Sequence, residues 1–141
     1  MRIYLYYIGR PKDPHANAIA QDFLGRAGHY APCEMREIRP DNDRADLWSK
    51  HPTARKILLD PAGKPMDSAT FARLIGSAEM ESRDLVFLVG GHDGLPPAWR
   101  PRADLLLSLS TMTFPHELAR AMLAEQIYRG FAILRNLPYV R

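Results

Sequence analysis

Short apolar runs alternate with amphipathic stretches along most of the chain. Five runs have the apolar or alternating pattern of β-strands, at residues 2–8, 34–38, 57–59, 85–89 and 105–109. Three stretches have helical spacing: residues 17–27, a segment that Ser68 would cap and that continues to residue 78, and 116 to about 135. Strands alternating with helices predict an α/β fold, a mostly parallel sheet flanked by helices on both sides.

The segment at residues 41–55 is charged and has no clean period, and it fits either a short helix or an exposed loop. No repeat, low-complexity tract or linker divides the chain. We therefore expect one domain over residues 1–141.

Composition narrows the class of protein. With 141 residues, 46% of them apolar and 25% charged, the chain has the make-up of a soluble globular domain. The single Cys33 excludes an internal disulfide, and the histidines lack metal-ligand spacing, so we expect no metal. No apolar run approaches the roughly 20 residues that cross a bilayer, and the first eight residues are too short for a signal peptide. We expect no membrane association and a cytoplasmic location.

The net charge of +3 allows an acidic partner without requiring one. Arginine, which outnumbers lysine here, suits phosphate because its planar fork binds two oxygens at once. A genomic preference for arginine codons is an equally good explanation.

The last helix is apolar nearly all round, which means that it needs cover on two sides. One side would face the sheet. The most economical cover for the other is the same helix of a second subunit, so we expect a homodimer through the C-terminal helix, with full burial in its own domain as the alternative.

Two predicted strands end in loops with ligand-binding character. Gly90, Gly91 and Gly94 follow the fourth strand, and residues 110–113 (STMT) follow the fifth. The carboxyl ends of parallel strands leave backbone groups free for a ligand, so we expect the working site there. The spacing G-G-x-x-G does not match the dinucleotide fingerprint G-x-G-x-x-G.

A set of motifs runs through this region and the rest of the chain. They lie at residues 90–95 (GGHDGL), 107–120 (LSLSTMTFPHELAR) and 125–129 (EQIYR), with further motifs at 8–13 (IGRPKD), 58–60 (LLD) and 63–64 (GK). In order and spacing these motifs resemble those of the RlmH family of SPOUT methyltransferases, and the resemblance covers most of the chain.

The resemblance implies a C-terminal trefoil knot and a homodimer that binds S-adenosyl-L-methionine. It implies methylation of N3 of a pseudouridine in 23S ribosomal RNA of the large subunit, on assembled ribosomes. By motif match, the cofactor-binding residues would be Leu59, Gly90, Leu109, Ser110, Thr111, Met112, Thr113 and Phe114. Apolar side chains and glycine suit this cofactor, whose adenine needs an apolar slot and close backbone approach.

The C-terminal tail departs from the family pattern, which usually ends in Pro-Tyr-His and a basic residue. Here Val140 stands in the histidine position, which leaves Tyr139 and Arg141 as the candidate catalytic residues. N3 must lose its proton during methylation, and Arg141 could stabilise an anion while Tyr139 stacks on or hydrogen-bonds to the nucleotide. The segment at 41–55 is also shorter than is usual in the family.

Several assignments stay open. Arg10 and Lys12 on the first loop are candidate RNA-binding residues, or else solvated turn residues. His116 could orient substrate or pack locally. Arg129 fits a helix pair with Glu125, whereas Arg120 could pair with Glu117 or face RNA or the cofactor.

Because the tail departs from the family pattern, two other functions are considered as alternatives. One is a SPOUT methyltransferase with another RNA substrate, and the other is a non-catalytic RNA- or ribosome-binding factor.

Overall fold

A computed structural model describes residues 1–40 and 46–140 of the chain. Within these ranges the elements are β1 (Ile3–Ile8), α1 (Pro14–Ala27), β2 (Cys33–Ile38), α2 (Leu47–Lys50), β3 (Arg55–Pro65), α3 (Ser68–Met80), β4 (Leu85–Val89), β5 (Leu105–Ser108) and α4 (His116–Leu134). Short 3-10 helices occupy Pro97–Arg102 and Pro138–Val140.

The strands form one sheet in the order β2-β1-β4-β3-β5, and every pair is parallel. Ile3 at the start of β1 pairs with Cys33 on one side and with Leu85 on the other. All residues of β4 are buried, as expected for a strand covered on both faces. The α/β prediction with a mostly parallel sheet is confirmed.

The two faces of the sheet are covered unequally. On one face α1, α3 and α4 pack over a core that includes Leu5, Phe87 and Phe131. On the other, Tyr6 and Leu88 lie under a thinner layer that contains α2 and the 3-10 helix Pro97–Arg102. Tyr6 also shares a 2.9 Å hydrogen bond with the Nε2 atom of His51. The thicker layer, formed by α1, α3 and α4, contains the helix that follows β5.

Two helix starts differ from the sequence prediction. Helix α1 begins at Pro14 rather than at residue 17, because the Asp13 carboxylate accepts hydrogen bonds from the backbone N–H of His15 (3.0 Å) and Ala16 (3.1 Å). Helix α3 is capped by Asp67, not by Ser68. The Asp67 carboxylate accepts from the backbone N–H of Thr70 at 2.8 Å.

Ser68 is instead the first residue of α3, and its hydroxyl donates to Gln126 Oε1 of α4 at 2.6 Å. An acidic side chain makes as good a cap as serine, so sequence alone could not choose between neighbouring residues.

Strand β3 is longer than predicted and runs through the turn-like residues 60–65. Its register against β5 shifts between Leu59 and Lys64, so the intervening residues form an irregularity in the strand. A Cβ at Gly63 would lie 2.6 Å from the carbonyl carbon and oxygen of Leu106, so glycine is required for this close approach. Strand β5 ends at Ser108, one residue earlier than predicted.

The segment predicted as a short helix or loop contains α2 at Leu47–Lys50, capped by Asp46. Its residues 41–45 lie outside the described residues.

Helix α4 packs between α1 and α3, so helices of the same chain supply much of the cover that its apolar surface needs. Ala124, Ile127 and Phe131 are fully buried. A stripe along one side of α4 nevertheless remains partly exposed to solvent. Leu118, which lies on this open stripe, is 44% exposed. Among the described residues, no helix has the length and apolar character to cross a membrane, and no three His, Cys, Asp or Glu side chains are grouped to hold a metal ion.

Candidate functional site

A cleft of about 150 Å³ lies at the carboxyl ends of β4 and β5, beside the irregular part of β3 that begins at Leu59. Its lining consists of Leu59, Asp60, Pro61, Val89, Gly90, Gly91, Gly94, Leu95, Leu109, Ser110, Met112, Thr113, Phe114, His116 and Ala119. Binding sites for small molecules are typically concave, with mostly apolar walls and a few polar groups. The cleft fits that description in position and lining.

The glycine turn after β4 forms one wall. A Cβ at Gly90 would lie 2.6 Å from the carbonyl carbon of Gly94, and a Cβ at Gly91 would lie 2.8 Å from the carbonyl oxygen of Ile8. Gly94 has φ +75°, in the left-handed region that favours glycine. The turn therefore brings bare backbone to the cleft, and side chains at these positions would distort it.

The loop between β5 and α4 forms the opposite wall. Ser110 Oγ accepts the backbone N–H of Met112 at 3.0 Å, a local turn that shapes the loop. The buried Ser108 hydroxyl lies within hydrogen-bond distance of the carbonyls of Pro61 (3.1 Å) and Ser110 (2.9 Å), which ties this loop to the end of β3. Met112 is 70% exposed, and this apolar side chain on the cleft wall is available to a ligand.

All the predicted cofactor-binding residues except Thr111 line this one cleft. Thr111 is exposed at the outer side of the loop. The structure thus brings residues 59, 90 and 109–114 to one edge of the sheet, although they come from three separate parts of the chain. Their binding role stays a prediction.

Asp60 also lines the cleft, and sequence reasoning did not single it out. Its carboxylate forms an ion pair with Arg100 of the 3-10 helix Pro97–Arg102 and accepts the backbone N–H of Ala62 at 2.9 Å. The ion pair joins the end of β3 to the segment that follows the glycine turn. Its position directly after Leu59 was the available signal.

His116 and Ala119, in the first turn of α4, line the cleft as well. Together with Asp60, His116 supplies the titratable side chains of the lining. The orienting role for His116 that the sequence left open is therefore compatible with its position.

Tyr139 lies away from the cleft. Its hydroxyl donates to Glu125 Oε2 of α4 at 2.5 Å, and its ring packs edge-on against Tyr128 with centroids 4.8 Å apart. Burial, together with the bond to Glu125, raises the pKa of the Tyr139 phenol. Tyr139 is thus a protonated donor at neutral pH. The other predicted catalytic residue, Arg141, lies outside the described residues.

The two arginines of α4 have different surroundings. Arg129 pairs with Glu125, with Nη2 2.9 Å from Oε2, so the predicted helix pair is confirmed. Arg120 does not form the alternative pair with Glu117. It is fully buried, with its guanidinium carbon 3.5 Å from the centroid of the Tyr7 ring and Nη1 2.5 Å from Asn17 Oδ1.

Arg10 and Lys12 lie exposed on the loop between β1 and α1. Neither lines the cleft, and the structure leaves both available to a partner.

Comparison with solved structures concerns the fold. The fold is similar to that of the SpoU methyltransferase AviRb from Streptomyces viridochromogenes, solved in complex with the cofactor AdoMet. The TM-score is 0.56 over 89% of this chain and 56% of that chain, at 14% identity, a likeness that concerns the fold alone. The chain thus shares the α/β fold of that structure.

Sequence comparison then gives the family. The family model described as "Predicted SPOUT methyltransferase" matches residues 1–139. Ribosomal RNA large subunit methyltransferase H of Solibacter usitatus (strain Ellin6076) is 80% identical over 141 residues, 100% of both chains. The protein of the same name from Gemmatimonas aurantiaca is 38% identical over 152 residues, with 99% of each chain covered. The chain belongs to the RlmH family of SPOUT methyltransferases, as its motifs predicted.

Proposed function

We propose that the protein transfers a methyl group from S-adenosyl-L-methionine to N3 of a pseudouridine in 23S ribosomal RNA of the large subunit. It would act on assembled ribosomes in the cytoplasm as a homodimer. The observation that carries the proposal is the cleft at the carboxyl ends of β4 and β5, which gathers nearly all the predicted cofactor residues. The name of the 80% identical relative supports large-subunit ribosomal RNA as the substrate.

The residues of the cleft fit this cofactor. Leu59, Leu109 and Met112 offer apolar surface for an adenine ring, and the bare backbone at Gly90 permits close approach. The related AviRb structure contains AdoMet on the same fold. When bound, the cofactor supplies an electrophilic methyl group on a sulfonium, and the chain's own contribution is to position donor and acceptor in line.

N3 of the acceptor must also lose its proton during methylation, and residues of the chain must assist this step. His116 is the lining residue with an imidazole side chain, and we assign it the role of orienting the acceptor base. Tyr139 would stack on the nucleotide through its ring, because its hydroxyl proton is donated to Glu125. Arg141 would stabilise the developing anion.

The surface next to the cleft supports the proposed homodimer. A second cavity of about 570 Å³ shares Leu109 and Phe114 with the cleft and is otherwise lined in part by Met122 and Glu125 of α4. The open apolar stripe with Leu118 lies on the same helix. A second copy seated there would bury the stripe and lie beside the cleft. Tyr139, through Glu125, would then also stand at the interface.

The family resemblance includes a C-terminal trefoil knot, and the proposal extends to it. The parallel pairing of β3 with β5, and the loop that leads from β5 into α4, are the parts of the chain that such a knot would involve.

The test is methyl transfer from labelled S-adenosylmethionine to ribosomes from a strain that lacks the modification. We expect turnover at the pseudouridine, and calorimetry should show cofactor binding in parallel. A Val140→His variant run beside the wild type measures the effect of the missing imidazole. A general base is worth about 100-fold or more, so a gain of that size would assign it that role, and a gain of a few-fold would indicate positioning.

A second candidate is a SPOUT methyltransferase with another RNA substrate, and Val140 is the observation that favours it. Cofactor binding without transfer to ribosomes, in both wild type and Val140→His, would overturn the leading proposal. Transfer to other cellular RNA would then identify the second candidate. If no methyl group were transferred to either ribosomes or other RNA, the protein would be assigned as a non-catalytic binding factor.

A further inference from the structure

Glu117, in the first turn of α4, holds the loop that follows β1. Its Oε1 atom accepts the backbone N–H of Lys12 at 2.6 Å, and its Oε2 atom accepts that of Asp13 at 2.9 Å. The first of these bonds is the main cause that lowers the pKa of the Glu117 carboxyl, so the group is ionised at neutral pH. One carboxylate thus binds two successive backbone groups more than 100 residues away in the sequence.

The same carboxylate is tied to the interior through an amide. Asn17 Nδ2 donates to Asp13 O at 2.7 Å and to Glu117 Oε1 at 3.3 Å, while Asn17 Oδ1 accepts from Arg120 at 2.5 Å. Arg120 is fully buried against the Tyr7 ring, and its Nε and Nη2 atoms have no hydrogen-bond partner among the described residues. The Tyr7 ring and the Asn17 amide hold the guanidinium in place, and the guanidinium in turn orients the Asn17 amide.

This network connects two segments with separate predicted tasks. Glu117 directly follows His116, which lines the cofactor cleft. The loop that it holds carries Arg10 and Lys12, whose side chains are exposed and whose predicted partner is RNA phosphate. Hydrogen bonds to a charged group are stronger than those between neutral groups, so the Glu117 carboxylate makes a large contribution to the position of the loop.

We propose that Glu117, supported by Asn17 and Arg120, is a positioning residue that fixes the basic loop after β1 relative to the cofactor cleft for RNA binding. The inference rests on the proposed RNA methyltransferase function and adds a residue to it. Without the carboxylate the loop would sample many positions, and the RNA would have to order it again on binding.

The first test is Glu117→Gln, which keeps the size of the side chain but removes its charge and one acceptor. We expect the KM for ribosomes to rise about 10-fold, the change that loss of one charge-assisted hydrogen bond implies. The Kd for S-adenosylmethionine should stay within about twofold, because Glu117 does not line the cleft. Amide hydrogen exchange at Lys12 and Asp13 should become faster.

The matched control is Glu79→Gln. Glu79 lies near the C-terminal end of α3, and its carboxylate pairs with Arg135, which follows α4. The control substitution should change neither the KM for ribosomes nor the exchange of the Lys12 and Asp13 amides. Thermal unfolding is followed for each variant. If Glu117→Gln is unfolded at the assay temperature, Glu117→Asp replaces it, since it keeps the charge with a shorter reach and should show the same changes at smaller size.

A double-mutant cycle separates positioning from general stability. In an Arg10→Ala/Lys12→Ala background, Glu117→Gln should raise the KM by less than about twofold, because the side chains that it positions are gone. A full 10-fold effect in that background would overturn the inference. So would a Glu117→Gln variant that matches Glu79→Gln in KM and exchange while the wild type methylates ribosomes. If the wild type itself neither binds nor methylates ribosomal RNA, the proposed function fails, and this inference fails with it.

Discussion

At the scale of single residues, the cleft depends on positions where no side chain fits. Gly90 is the clearest case, because the atoms that a Cβ would meet belong to the backbone of Gly94 and Leu95 and cannot rotate away. The contrast is Gly25 in α1, where a Cβ would meet nothing within 4 Å. The two glycines look alike in the sequence, but only the first shapes a site.

We therefore expect Gly90→Ala to weaken binding of S-adenosylmethionine by at least about 10-fold, since relieving a 2.6 Å contact must move the turn that forms the cleft wall. Calorimetric titration measures this directly. Gly25→Ala is the control. It should leave the Kd unchanged and stabilise the protein by up to about 1 kcal/mol, because alanine favours a helix interior. If the Gly90→Ala variant bound S-adenosylmethionine as tightly as the wild type, the prediction that the cofactor binds in this cleft would be wrong.

Residue roles that depend on distant contacts could not be predicted from the sequence. The pattern suggested a pair between Glu117 and Arg120 because they lie on one helix face. In the folded chain both turn to partners near the N-terminus, to Lys12 and Asp13 and to Tyr7 and Asn17. Local spacing shows which neighbours are possible, but the topology decides which contacts form.

At the scale of elements, α4 lies close to α3 because of one small residue. A Cβ at Gly130 would lie 2.6 Å from Cδ1 of Ile75 and 3.7 Å from Cα of Ala72. Glycine has a lower intrinsic helix propensity than alanine, which reduces the stability of α4. The close packing of α4 against α3 offsets that loss of stability.

Gly130→Ala should therefore have opposite effects in two backgrounds. In the wild type it should be neutral or destabilising by up to about 1 kcal/mol, because the new methyl group displaces the end of the Ile75 side chain. In an Ile75→Val background, which lacks Cδ1, it should stabilise by up to about 1 kcal/mol through helix propensity. Urea unfolding of the four proteins gives the coupling. Additive effects would show that the contact does not limit the approach of the helices.

Element types and order were predictable, since apolar periodicity survives in each strand and helix. Element ends were less so. The acidic cap at Asp67 displaced the predicted Ser68, and β3 continued through residues 60–65 although Pro61 and Gly63 suggested a turn. In β3 the pairing with β5 overrides the local signal, which no propensity of the segment itself records.

At the scale of the whole molecule, the open stripe on α4 determines assembly in the proposed homodimer. Leu118 is 44% exposed beside the cleft, whereas Met80, 89% exposed at the end of α3, lies on another surface. An exposed apolar residue carries little cost by itself, so only one that a partner covers should affect assembly when it is replaced by a charge.

Leu118→Glu should accordingly convert the dimer to a monomer at micromolar concentration, since a carboxylate buried in the interface would lack a partner. Sedimentation velocity measures the change. Met80→Glu should remain dimeric. A wild type that is monomeric would contradict the homodimer, and a dimeric Leu118→Glu variant would place the interface elsewhere.

The position of β1 between β2 and β4, inside the sheet, has a further consequence, for biosynthesis. β1 pairs with β4, and α1 packs against α4, so the first quarter of the chain is completed only by segments from the second half. As the chain leaves the ribosome, β1, α1 and β2 emerge with apolar faces that have no cover until α4 follows. Native contacts between such distant segments require closure of long loops and form slowly. The nascent chain thus depends on its final residues before its core can close, and truncation at the C-terminus would leave an aggregation-prone N-terminal half rather than a smaller folded protein.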